Sequence, residues 1–260
     1  MEQRSTSSVI RPLICTALIY FVLSPISTSD ISMSYGPWLE QMARQGPLVA
    51  LSAPIGDYSP PYYYLLGLAA VLHGLIPTIL VVKLVSLVST LFMVGAFHTL
   101  LKSLDVPDRA RLSAWLLLLP GVAINTSITA SSDGLWIAPC LFALACAIGH
   151  RHRTMLVWCG LALAIKIQAV FIAPFFLGLL IARRVPLIQW AWMPAVFFLA
   201  HVPALLCGWP LGDMLTIYFR QTGMMTALSL KAPNLWSIVQ MLPGGDQPWL
   251  ATLADRKSVV

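Results

Sequence analysis

Long apolar runs alternate with short polar breaks along this chain. The runs cover Ile10 to Thr28, Tyr62 to Leu75, Thr78 to Leu101, Arg111 to Gly149, Met155 to Ala182 and Val185 to Cys207. They are near-continuous rather than alternating with period two, so they predict helices and not strands. The third run, and the last, are each long enough for one membrane span of about 20 residues. Arg111 to Gly149 has room for two helices around a polar break at 125–133, NTSITASSD. Met155 to Ala182 is too long for one span and too short for two, with Lys166 and Gln168 at its middle. It reads as two short helices meeting at Lys166, or as one tilted helix carrying Lys166 inward. Tyr62 to Leu75 is short, and His73, Gly74 and Pro77 interrupt it. It is either a re-entrant or juxtamembrane helix or a full crossing, and the distribution of basic residues favours the first.

One polar island stands out, Ser29 to Tyr64, reading SDISMSYGPWLEQMARQGPLVALSAPIGDYSPPYYY. It carries Asp30, Glu40 and Asp57, three of the chain's ten acidic residues. SYGPWLEQM predicts a short amphipathic helix with Pro37 in its first turn and with Trp38, Leu39 and Met42 on a membrane surface. Pro60 and Pro61 predict the opening of another helix. The three tyrosines after them read as an interfacial aromatic belt, with sugar stacking as the other use of such rings.

Composition turns this pattern toward a membrane. Of 260 residues 58% are hydrophobic and 10% charged, and the mean hydropathy is +0.80; a soluble domain carries about 25% charged residues. The expected fold class is therefore all-α, a polytopic transmembrane helical bundle with a large extracytoplasmic loop after the first span. Residues 1–242 form a single transmembrane module, with loops at 30–61 and 208–232, and 243–260 form a polar tail. The N-terminus has the shape of a signal peptide but reads as an uncleaved first span, because further spans follow. The net charge of +6 does not point to nucleic acid. Arg4, Arg11, Arg109, Arg111, Arg151, Arg153, Arg183 and Arg184 flank the runs and place the N-terminus in the cytoplasm by the positive-inside rule. Asp30, Glu40, Asp57, Asp133, Lys166, Asp213, Arg220 and Lys231 then fall on or near the outer face. Lys83 is read as snorkelling to the interface. All five cysteines lie in apolar runs and read as small buried hydrophobes. No metal cluster and no cofactor motif appears.

On that face Asp30 is a candidate general base, its carboxyl suited to the task if partial burial raises its pKa. Glu40, Asp57 and Tyr58 are candidate substrate contacts. Asp133 follows Ser131 and Ser132 and is either a helix N-cap or a site residue. Lys166, Arg220 and Lys231 are candidate phosphate contacts from charge and topology. Asn125-Thr126-Ser127 matches a glycosylation acceptor.

The order of these features resembles the GT-C class of membrane glycosyltransferases, including bacterial mannosyltransferase-like members and dolichyl-phosphate-glucose-dependent glucosyltransferases. The likeness rests on Asp30 after the first run, Trp38-Leu39-Glu40, the turn Asp57-Tyr58-Ser59-Pro60-Pro61, the string ending in Asp133, Lys166-Ile167-Gln168, and Ala232-Pro233-Asn234-Leu235-Trp236. Ser59 departs from the tightest form of the turn. The resemblance implies transfer of a hexose from a polyprenyl-phosphate donor to a glycan, lipid or protein acceptor, with Asp30 as base. The matching motifs offer Glu40, Asp57, Tyr58, Asp133, Gln168 and Asn234 as substrate contacts, beside Lys166, Arg220 and Lys231, which rest on charge and topology alone; the resemblance also implies membrane lipid as a partner and no metal. It places the protein in a bacterial inner membrane with its active site extracytoplasmic. Members of the class are usually longer, so the chain reads as a shortened form. The alternatives are a transporter or flippase of lipid-linked sugars, with Asp30, Asp133 and Lys166 along its pathway, and an inactive truncated scaffold.

Overall fold

The computed structural model describes residues 2–223, with side chains from 8 to 219. The chain divides into two compact units, Met1–Met214 and Leu215–Val260. The hydrophobic clusters found among the described residues all lie in the first. All regular structure among the described residues is helical.

Helix α1, Glu2–Leu23, carries Pro12 within it. A π-helical turn, Ile31–Tyr35, leads into α2, Gly36–Gln45, with Pro37 in its first turn as the sequence predicts. Leu39 and Met42 lie three apart on one face of α2 and are fully buried. Glu40 and Arg44 pair at 3.2 Å on the opposite face. Gly46, at φ +81°, ends the helix in a conformation that L side chains rarely adopt. A single turn, α3 (Pro47–Ala50), follows. Helix α4, Pro60–Ala69, opens on its two prolines after extended Ser59. Its first turn sends Tyr62 and Tyr63 into the core at 2% and 0% exposure. Burying side chains of this size contributes about 1.5–3 kcal/mol each.

Helix α5, Thr78–Ser103, is the longest. Small polar side chains mark its buried face. Ser86 donates to the Ser131 carbonyl, and the Thr90 and Thr126 hydroxyls share a bond of 2.7 Å. Short helices α6 (Arg109–Leu116) and α7 (Pro120–Ser127) lead to α8, Gly134–Ile148, and α9, His152–Ile165. Then come a 3-10 turn, Ile167–Ile172, α10 (Ala173–Ile181), a second 3-10 turn, Leu187–Ala191, α11 (Trp192–Leu206), and α12 (Leu211–Gly223). Two glycines let helix backbones approach closely. A Cβ at Gly134 would stand 2.3 Å from the Ser89 carbonyl oxygen of α5. One at Gly160 would stand 2.4 Å from the Met193 carbonyl oxygen of α11.

The expected polytopic bundle is not what the chain builds. Among the described residues two helical segments are long and apolar enough to cross a membrane, Thr78–Ser103 and Leu187–Leu206. Gly134–Ile148, His152–Ile165 and Ile167–Ile181 are shorter apolar helices, the first two of 15 and 14 residues. At 1.5 Å per residue they reach about 23 Å, short of a hydrocarbon core of about 30 Å. Helix α1 is apolar only over Ser8–Leu23, after the polar segment 2–7. The inside–outside assignment of loops, the inner-membrane location and the extracytoplasmic site rested on those spans and fall with them. The aromatic belt fails for a related reason. Tyr62, Tyr63, Leu39 and Met42 face the protein's own core, where Trp38 and Tyr58 pack against them. Lys83 does not snorkel either. It is 7% exposed, and its ammonium donates to the carbonyls of Leu23, Ser24 and Ile26, at and just past the end of α1. A helix C-terminus leaves such carbonyls unpaired and carries partial negative charge. Among the cysteines, Cys140, Cys146 and Cys159 are buried as expected, whereas Cys15 is exposed and Cys207 half-buried.

Candidate functional site

Asp133 precedes α8 but makes no side-chain cap bond. Its carboxylate instead gathers four donors. The Lys166 ammonium donates at 2.7 Å, the Ser131 hydroxyl at 2.9 Å, the Trp136 indole N–H at 3.0 Å and the Asn125 amide at 3.5 Å. Burial alone would raise the carboxyl's pKa. The charge of Lys166 and the hydrogen bonds from Lys166, Trp136 and Ser131 together outweigh it and hold the pKa below its ordinary value. Asp133 is therefore a saturated anion.

Lys166 reaches this carboxylate because α9 stops beneath it. Its backbone is extended, at φ −155° and ψ +137°. Its N–H still donates to the Ala162 carbonyl, and its own carbonyl accepts from Ala169 at 3.1 Å, starting the 3-10 turn. No glycine or proline stands at the break. This is the two-helix arrangement expected around Lys166. On its other side Lys166 meets Tyr58, with the ammonium 3.5 Å from the phenol oxygen and 5.0 Å from the ring centroid. The Tyr58 and Tyr35 hydroxyls share a bond of 2.9 Å. Burial raises both phenols well above their ordinary range, so they stay protonated and serve as neutral hydrogen-bonding groups. Tyr35, Trp38, Tyr58, Tyr62 and Tyr63 pack ring against ring, centroids 4.7–6.3 Å apart.

Of the residues expected to form a site, the structure thus joins Tyr58, Asp133 and Lys166. Gln168 lies in the adjoining 3-10 turn with its carbonyl oxygen buried and unpartnered. Asp57 sits at the margin, where its charge adds to burial in keeping Tyr62 and Tyr63 protonated. Asp30 precedes the π-helical turn and is half-buried. Glu40 is on the outer face of α2 with Arg44. The Arg220 side chain, Lys231 and Asn234 lie outside the described residues. Tyr35 and Trp136 went unread in the sequence. Trp136 had a signal, since it stands three residues after Asp133 where a helix brings side chains onto one face.

A second feature lies on the far side of Trp136. A partly open pocket of about 360 Å³ is bounded by α8 through α11 and their connecting turns. Cys140 of α8 and Cys159 and Ala162 of α9 form one wall. Ala169 and Ile172 of the 3-10 turn form its floor, and Phe176, Leu177 and Leu180 of α10 face them across the space. Trp190 and Met193 close the remaining side. The lining is almost wholly apolar. Burial holds the Cys140 thiol up at about 11 and the Cys159 thiol at about 12, so both are neutral. Trp136 packs against the buried cluster of Cys140, Ala162 and Ala169 while its N–H holds Asp133. One side chain thus ties the polar junction to the pocket wall.

A buried Ser59–His201 pair is the remaining chemical candidate. The serine hydroxyl donates to Nε2 at 2.9 Å and Nδ1–H donates to the Phe197 carbonyl at 2.7 Å. The spacing suits an activated nucleophile, but Ser59 and His201 are 1% and 0% exposed. Pro60 and Pro61 also remove the N–H groups that a helix start would offer an oxyanion. The pair joins α4 to α11. Among the described residues no group of three His, Cys, Asp or Glu is placed to hold a metal ion.

No family model, no curated protein and no solved structure matches this chain. The likeness to GT-C glycosyltransferases is therefore withdrawn. With it go the hexosyltransferase activity, the polyprenyl-phosphate donor with its acceptors, the flippase alternative and the membrane-lipid partner. Among the described residues two helices, rather than the expected bundle of spans, are long and apolar enough to cross a membrane.

Proposed function

We propose that this chain is a binding protein for a small molecule with an apolar body, held in the pocket between α8 and α11. The pocket itself carries the reading. Its volume of about 360 Å³ lies in the range of ligand sites, about 300–1,000 Å³, and its lining is apolar as such sites are. Its neutral thiols and its aliphatic and aromatic walls offer dispersion contacts and no reacting group. The Tyr58–Lys166–Asp133 junction has a supporting role. It fixes the end of α9 and the start of the 3-10 turn, and Trp136 carries that fixity to the wall. Gln168, in the same turn, has a buried side-chain oxygen without a hydrogen-bond partner.

The test is displacement of a fluorescent apolar probe, N-phenyl-1-naphthylamine. Ala173 lines the pocket yet is exposed, so Ala173→Trp fills the space without overpacking the core. Probe affinity is expected to fall about tenfold or more in Ala173→Trp at unchanged melting temperature. Equal affinity in both proteins, or no binding to either, refutes the assignment.

A further inference from the structure

The arginines at one end of the pocket bear on what its ligand carries. Helix α9 begins at Arg151 with no side-chain cap and no acidic residue in its first turn; His152 and Arg153 stand there instead. Cations at a helix N-terminus add to the partial positive charge of its free N–H groups and are unfavourable unless an anion offsets them. Two more arginines meet this end. Arg183 and Arg184 follow α10, and the next residue, Val185, packs among Cys146, Met155 and Leu156 of α8 and α9. Arg153 lies over the Trp192 ring at 3.9 Å. Arg151, Arg153, Arg183 and Arg184 are exposed. Between Asp133 and Asp213 the sequence has no acidic residue. The nearby loop after α5 holds Asp105 and Asp108, but no ion pair among the described residues joins either to these arginines.

The pocket runs toward the same end. Leu180, in its lining, is three residues before Arg183, and Trp190 and Met193 flank Trp192. Cys159 is six residues along α9 from Arg153, about 9 Å of helix, a gap that an arginine side chain partly spans. We infer that the ligand of the pocket is an amphiphilic anion, with its apolar body among Cys159, Leu177 and Leu180 and its anionic group on Arg153, Arg183, Arg184 and the open start of α9. This rests on the proposed pocket function and narrows it to one class, an aliphatic chain ending in a carboxylate or similar oxyanion.

The experiment compares decanoate with decanol, equal in chain length and differing in charge, as competitors of the fluorescent probe at pH 8. Decanoate is expected to bind at least about tenfold more tightly, as charge-assisted contacts imply. The preference is expected to shrink as salt is raised. It is also expected to shrink several-fold in Arg183→Gln/Arg184→Gln. The matched pair Arg11→Gln/Arg44→Gln, with the same loss of charge at exposed positions of α1 and α2, is expected to leave it intact. Equal binding of decanoate and decanol overturns the anionic class and leaves the pocket reading standing. A preference that survives Arg183→Gln/Arg184→Gln, or falls equally in the matched pair, overturns the assignment to this end. Failure of both competitors to displace the probe overturns the inference together with the pocket reading.

Discussion

A double-mutant cycle on Asp133 and Lys166 tests whether their junction is a structural clamp. The two charges are 2.7 Å apart, and their side chains are 31% and 20% exposed. At an effective dielectric constant near 20 that separation gives a gross attraction of about 6 kcal/mol. Desolvation of both groups cancels most of it, leaving an expected coupling of about 1–3 kcal/mol. The single variants should differ. Lys166→Met leaves Asp133 with its bonds from Ser131, Trp136 and Asn125, so the loss should be about 1–3 kcal/mol. Asp133→Asn is worse. It leaves a half-buried ammonium whose other neighbour is the Tyr58 phenol at 3.5 Å. It also places an amide N–H₂ among donors, for about 2–4 kcal/mol. The double variant should cost less than the sum of the two. Urea unfolding followed by far-UV ellipticity gives the four stabilities. A coupling below about 0.5 kcal/mol, or Lys166→Met proving the more damaging single change, would refute the clamp.

Two further outcomes follow from the same geometry. Because the Asp133 pKa is held below its ordinary value of 3.8, the unfolded state takes up the proton first. Stability from this group is complete above the ordinary carboxylate range and is lost as pH falls through it toward the lowered folded value. The acid-side fall in melting temperature should therefore be shallower in Lys166→Met than in the parent, and identical slopes in thermal scans would count against the pairing. Gly134→Ala forces a Cβ to within 2.3 Å of the Ser89 carbonyl oxygen, whereas Gly95 in the middle of α5 has open space. The first should cost about 1–3 kcal/mol or more and Gly95→Ala should stabilise by about 0.5–1 kcal/mol, measured by chemical denaturation. Similar effects at both positions would contradict the close α5–α8 approach.

Much of the helical outline could be read locally. Pro37 and Pro60-Pro61 mark the first turns of α2 and α4, and NTSITASSD holds the end of α7 and the break before α8. These are backbone effects of short range, which sequence carries directly. The direction in which apolar faces point is different. Leu39, Met42, Tyr62 and Tyr63 have the composition of a membrane surface and of a protein core alike, and periodicity does not separate the two. Glu40 illustrates the reverse case. Its partner Arg44 lies four residues on, and that spacing is the mark of a surface pair on a helix.

The site divides along the same line. Lys166 in an apolar run is visible as an anomaly, because a charge there requires a partner. Its partners are not visible, since Tyr58 and Asp133 are 108 and 33 residues away. The pocket has no motif at all, being the space left where four helices and two turns fail to close. What makes that space definite is the break at Lys166. Were α9 to continue through Ile172, Ala169 would lie two turns along the helix from Ala162 and the floor of the pocket would move with it. An extended Lys166 redirects the chain, and the ion pair to Asp133 holds the redirected backbone. Trp136 bonds the same carboxylate and packs against the cluster that contains Ala162 and Ala169. The charge read in the sequence as a phosphate contact therefore shapes a cavity whose lining is neutral.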